Sequence, residues 1–171
     1  MTGDIMSASY DIFLWLHIFS AASWFGAAML FAIVVGPTIG DFTPSTSGEV
    51  VTKMLPKYLK FIAIFTVLTP VLGLITALTS SNGSFNVFSP SSQYGTWISA
   101  GALLSLVLWV VTFAVVYPTG RKIIRITMEV VKNQASRPPT LPPLAMRLKI
   151  SSGVGLALLV AILICMVEAA V

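Results

Sequence analysis

Four long stretches poor in charged side chains restrict the fold of this chain more than any other feature. They cover about residues 10–36, 61–80, 96–117 and 144–170. Each is long enough to cross, as a helix, a bilayer whose hydrocarbon core is roughly 30 Å thick. A helix also satisfies every backbone hydrogen bond within its own segment, as the bilayer requires. We therefore expect an all-α fold, an integral membrane four-helix bundle forming a single domain over residues 1–171.

Composition supports this class. Hydrophobic residues make up 56% of the chain and charged residues 9%, and the mean hydropathy is +0.92. Soluble domains carry about 25% charged residues. The single cysteine, Cys165, excludes an internal disulfide and any cysteine-rich metal or iron–sulfur site.

The basic residues predict the orientation in the membrane. All ten lie within residues 53–60 and 121–149, in or beside the connections that follow the first and third spans. By the positive-inside rule these connections are cytoplasmic and both termini lie outside a cell membrane crossed several times. The net charge of +4 therefore reflects topology, and no nucleic-acid partner is predicted. About residues 121–133 form an amphipathic surface helix, and Asn82 begins a glycosylation sequon on the outer loop.

The two halves of the chain resemble each other. Phe31-Ala-Ile-Val-Val-Gly-Pro37-Thr38 compares with Phe113-Ala-Val-Val-Tyr-Pro118-Thr119, which is one residue shorter. This similarity predicts two similar helical hairpins related by a pseudo-two-fold axis along the membrane normal. The same alignment places His17 opposite Ser99, so any site built on the histidine belongs to one half only.

Small residues form a row in the fourth span. They repeat every four residues at Gly153, Ala157, Ala161, Cys165 and Ala169. Such a row lets another helix approach closely, so we expect a helix–helix contact on this face. Cys165 is interpreted as a small packing residue of that contact.

His17 is the only histidine, and it lies inside the first apolar span. An ionisable side chain in a membrane span indicates a functional site. Ser20, Ala21 and Trp24 follow at helical spacing, so the side chains on this face are small beside the imidazole and large at Trp24. Two interpretations stay open: a ligand to a cofactor, or a hydrogen bond to a neighbouring helix.

The predicted topology places His17, Met166 and Cys165 in the outer half of the membrane. An imidazole with a thioether suits haem iron or copper, so His17 and Met166 are the candidate metal ligands. Trp24 would border a flat slot for haem b. A second axial ligand would be Met, Lys, water or the histidine of a partner subunit. The sequence contains no recognisable set of catalytic residues, so none is assigned.

The first helix resembles that of the CopD-like and HemJ-like membrane proteins. The resemblance rests on Leu16-His17, Trp24-Phe25-Gly26 and Pro37, and on the basic, proline-rich segment containing Arg147 and Lys149. The first group is implicated in copper handling. The second performs oxygen-independent protoporphyrinogen oxidation and is thought to hold haem through its first-helix histidine. The resemblance implies a ligand role for His17, and for Lys149 a contact with a propionate or a substrate carboxylate. The chain lacks further histidines and acidic residues that those proteins often have.

Two functions from different classes follow. In the first, the chain binds haem b or copper through His17, for electron transfer or for haem or copper handling. In the second, it is a non-catalytic structural or assembly subunit of a larger membrane complex and has no cofactor of its own. Its partners are the lipid bilayer and either further copies of itself or other subunits of such a complex.

Overall fold

The computed structural model describes residues 2–81, 83–133 and 138–170 and is all-helical there. The sequon residue Asn82 and residues 134–137 of the basic connection lie outside the described residues. In chain order the helices are α1 (Thr2–Met29), α2 (Pro44–Lys53), α3 (Leu55–Ser80), α4 (Gln93–Val111), α5 (Tyr117–Asn133) and α6 (Leu141–Ala170). Two π-helical segments, π1 (Leu30–Val35) and π2 (Thr112–Val116), extend α1 and join α4 to α5. A 3-10 turn occupies Phe85–Phe88.

Four helical stretches in the described residues are long and apolar enough to cross a membrane. They run over Ser9–Thr38, Pro44–Ser80, Gln93–Asn133 and Leu141–Ala170, and each contains one of the predicted spans. Large apolar side chains point outward from them; Trp15 and Phe19 are 71% and 69% exposed. Such surfaces are unfavourable in water and are typical of helices that could cross a membrane. The all-α class and the four apolar helices are thus confirmed, and the pseudo-two-fold axis stays a prediction.

The two π-helical segments occupy equivalent places in the repeated sequence. Each ends two residues before a proline, Pro37 after π1 and Pro118 after π2. A proline has no N–H and its ring crowds the carbonyl four residues earlier. The helix widens instead, so that Gly36 N–H donates to Phe31 O and Tyr117 N–H to Thr112 O. The first segment has six residues and the second five, so π1 is one residue longer than π2, as its part of the repeat is.

The structure divides into two compact units. The first comprises the described residues of Met1–Phe25, Phe65–Trp109 and Ala157–Val171. Its interior is unusually polar: Ser20, Thr66 and Thr69 are buried together with Trp24 and Leu108.

The second unit comprises Gly26–Ile64 and the described residues of Val110–Leu156, and it has an apolar core. Phe31 stacks on Tyr58 with ring centroids 4.0 Å apart. Other members are Leu55, Leu59, Val116, Ile123, Ile124 and Leu148. A Cβ at Gly120 would lie 2.7 Å from a methyl carbon of Leu59, so glycine lets α3 approach α5 closely.

The first part of the small-residue row on α6 is exposed, so the described residues of the chain do not make the predicted helix–helix contact there. A Cβ at Gly153 would meet nothing within 4 Å, and Ala157 is exposed. Cys165 is buried, as expected for a packing residue. The physical reason is helical geometry: a step of four residues turns by about 40° more than one full turn. The row therefore winds around α6, from the outer surface at Gly153 to the interior at Cys165.

Candidate cofactor-binding site

The inward face of α1 in the first unit has His17, Ser20 and Trp24. Their spacing of three and four residues keeps them on one side of the helix. Ser20 is 1% exposed and Trp24 3%, while His17 is half-buried. The neighbouring side chains Leu16 and Ile18 are exposed, so the face with His17, Ser20 and Trp24 points away from that outer surface.

The opposing face of α3 is a seam of small and polar residues. We use the term α3 seam for Thr66, Thr69, Gly73 and Thr76, which follow one another at steps of three, four and three residues. The three threonines are buried. Pro70 lies within this part of α3, which remains helical through it. Because proline has no N–H, the carbonyl of Thr66 loses its usual donor four residues later.

Thr69 binds α1 through two hydrogen bonds. Nδ1 of His17 donates to the main-chain carbonyl of Thr69 at 3.0 Å. The hydroxyls of Ser20 and Thr69 are hydrogen-bonded to each other at 2.6 Å. Since a carbonyl only accepts, the proton of a neutral His17 must reside on Nδ1. The lone pair of the ring is then on Nε2, which makes no hydrogen bond to the described residues.

Gly73 has no side chain and so leaves space for the imidazole of His17 against α3. A Cβ at Gly73 would lie 2.8 Å from Cε1 of His17, 3.2 Å from Nδ1 and 3.4 Å from Nε2. Any side chain at this position would therefore displace the ring. The pairs His17–Gly73 and Ser20–Thr69 run in opposite directions along the two helices, which is an antiparallel register.

Thr66 has a buried hydroxyl with no partner among the described residues. The residue is 0% exposed, and its Oγ1 makes no hydrogen bond in that part of the chain. A buried polar group without a partner costs about 1–3 kcal/mol. The first unit therefore has unused hydrogen-bonding capacity one turn from the residues that hold His17.

The other predicted site residues are held by different elements. Met166 packs on α4, where a Cβ at Gly101 would lie 2.5 Å from its Cε and 3.4 Å from Cβ of Cys165. The structure thus brings Met166 and Cys165 to one glycine of α4, while His17 is fixed on α3. Lys149 is exposed and belongs to the second unit. No group of three or more His, Cys, Asp or Glu side chains able to hold a metal occurs in the described residues.

Sequence reasoning missed the α3 seam. Its residues follow the same three-and-four spacing as His17, Ser20 and Trp24, and they surround the only proline within an apolar span, Pro70. This periodicity of polar residues could have predicted that the α3 seam faces a neighbouring helix. Nothing in the sequence, however, indicated that the acceptor for His17 is a backbone carbonyl rather than a side chain.

The two ring nitrogens of His17 are arranged as in a histidine that binds a metal. A neutral imidazole whose Nδ1–H is fixed by a carbonyl and whose Nε2 has a free lone pair is the usual arrangement of a ligating histidine. His17 therefore fits a single strong ligand to haem iron or copper. Comparisons with models of known protein families, with curated proteins and with solved structures found no match to this chain.

Proposed function

We propose that this chain is a multi-pass membrane protein that binds haem b or copper through Nε2 of His17. The observation that supports the proposal is the hydrogen bond from Nδ1 to the carbonyl of Thr69, which leaves Nε2 as the coordinating atom. When bound, either group supplies a one-electron redox couple. The protein then serves electron transfer or the handling of haem or copper.

The residues around His17 have defined roles in this proposal. Thr69 keeps the proton on Nδ1 and holds the plane of the ring, while Gly73 leaves the ring enough space. Met166 is the candidate second ligand from within the chain, and Trp24 is a wall of the haem site. For Lys149, contact with a propionate or a substrate carboxylate rests on the resemblance to CopD-like and HemJ-like proteins alone.

The membrane orientation is a further part of the proposal. The basic connections face the cytoplasm, both termini face outward, and His17 lies in the outer half of a cell membrane. The two hairpins are related by a pseudo-two-fold axis along the membrane normal, which the equivalent π-helical segments support. The protein works as a homo-oligomer or within a larger membrane complex.

The test compares His17→Ala with Ser20→Ala. Both substitutions remove one side-chain bond to Thr69 from the same face of α1, but only the first removes a ligand. Each variant is purified in mild detergent, and its reduced-minus-oxidised absorption spectrum and copper content are measured. We expect the wild type and Ser20→Ala to contain haem or copper and His17→Ala to contain neither, with comparable yields of folded protein. An alanine variant of His17 with stoichiometric cofactor would refute the proposal.

A non-catalytic structural or assembly subunit is the second candidate. The same two bonds to Thr69 favour it, because they join α1 to α3 without any metal. Interhelical hydrogen bonds in membranes contribute about 0.6 kcal/mol on average. For this function, a colourless and copper-free wild type is expected, and His17→Ala would cause only mild destabilisation.

A further inference from the structure

A groove in the second unit lies between the end of α4 with π2 and the first half of α6. Its volume is about 510 Å³. The residues that matter for its chemistry are Val111, Val115, Met146, Arg147, Ile150 and Val154. None of them belongs to the site around His17, which is in the first unit.

The groove is apolar along its length and has a cation near one end. Arg147 is the only charged residue among those that line it. Val154 lies two helical turns further along α6, about 10 Å away along the axis. Arg147 is therefore towards the basic connection, and the part beyond it, which is apolar except for Ser151, extends into the apolar span.

The groove opens to the surroundings of the protein. Met146, Ile150 and Val154 are 57%, 56% and 47% exposed. Seven of the ten basic residues occur within residues 121–149, the segment that enters α6. Such a segment at a membrane surface concentrates anionic headgroups near Arg147.

We propose that this groove binds one anionic phospholipid. An acyl chain fills the part lined by Val111, Val115, Ile150 and Val154, and the headgroup phosphate pairs with the guanidinium of Arg147. Charge and shape both select this occupant. A lone cation beside an apolar groove requires an anion that is joined to a long apolar tail, and a planar guanidinium matches phosphate oxygens in two parallel hydrogen bonds.

Native mass spectrometry of the full chain in detergent tests the proposal. The probes are phosphatidylglycerol and phosphatidylcholine with identical acyl chains. The wild type should retain one phosphatidylglycerol and discriminate against phosphatidylcholine. Arg147→Gln should lower the retained phosphatidylglycerol about tenfold, the loss of one charge-assisted contact. Val154→Trp, which places an indole in the apolar part of the groove, should also lower retention.

Matched controls separate the groove from general effects. Arg121→Gln removes a guanidinium of α5 that does not line the groove, and Val160→Trp enlarges an exposed valine elsewhere on α6. Both should retain the lipid as the wild type does. Equal retention of the two lipids by the wild type would overturn the proposal, as would unchanged retention in Arg147→Gln. A change of oligomeric state in Val154→Trp without lipid discrimination would identify the groove as a contact between copies and also overturn it.

Discussion

The imidazole Nδ1 of His17 and the main-chain carbonyl oxygen of Thr69 lie 3.0 Å apart and join α1 to α3. The acceptor is a backbone atom immediately before Pro70 in a helix that continues through the proline. This relationship fixes the tautomer of the only histidine in the chain. It also makes the side chains around Thr69 the most informative targets for substitution.

Gly73→Ala should disturb His17 directly. The added methyl would lie 2.8 Å from Cε1 of the ring, and overpacking of this kind costs ~1–3 kcal/mol. We expect a lower free energy of unfolding in an SDS titration and reduced haem or copper content. Gly26→Ala is the control, because a Cβ there meets nothing within 4 Å and alanine favours a helix by up to about 1 kcal/mol. Equal stability of the two variants would contradict the close packing at Gly73.

Thr66→Val and Thr69→Val form a matched pair within the α3 seam. Thr66 Oγ1 has no partner among the described residues, so its isosteric replacement should leave the free energy of unfolding unchanged or raise it. Thr69→Val removes the bond to Ser20 and leaves that hydroxyl buried, so a loss of about 1–2 kcal/mol is expected. SDS titration measures both. A larger loss for Thr66→Val than for Thr69→Val would show that water or a ligand occupies the space beside Thr66.

Ala157→Leu and Cys165→Leu test the winding of the small-residue row. Ala157 is exposed and Cys165 is 6% exposed. Ala157→Leu should leave the stability of a single chain unchanged. Cys165→Leu should lower the free energy of unfolding by ~1–3 kcal/mol, because the larger side chain overpacks against α4. Thermal unfolding in detergent and size-exclusion chromatography provide the measurements. A shift of Ala157→Leu to a smaller assembly would instead identify this part of the row as a contact between copies.

The orientation of the chain can be tested at the two ends of one span. Gln93 and Asn133 bound the helical stretch Gln93–Asn133, and both are exposed. Gln93→Cys and Asn133→Cys are made in a Cys165→Ser background and treated in intact cells with a thiol reagent that does not cross membranes. Only the cysteine at position 93 should react, because the positive-inside rule places position 133 in the cytoplasm. Labelling of position 133 alone would reverse the orientation and move His17 to the inner half of the membrane.

Much of the architecture follows from local features of the chain. The four apolar runs predict four helices, because a helix satisfies every backbone hydrogen bond within its own segment, as a bilayer requires. The repeated prolines at positions 37 and 118 were visible in the sequence, but their effect was not. The widening of the helix into π1 and π2 depends on hydrogen bonds that only the folded helix makes.

The choice of His17 as the candidate centre of a site also rested on local information, since an isolated ionisable residue in an apolar span stands out by its type alone. Which atoms meet it was decided by tertiary structure. Its acceptor is a carbonyl, a group that every residue possesses, so no sequence pattern could single out Thr69. The sequence also did not determine which residues of the small-residue row face inward. A spacing of four residues defines a spiral on α6, but it does not define the rotation of that helix relative to its neighbours. Packing of complete helices sets that angle, and it turned Cys165 inward and left Gly153 on the surface.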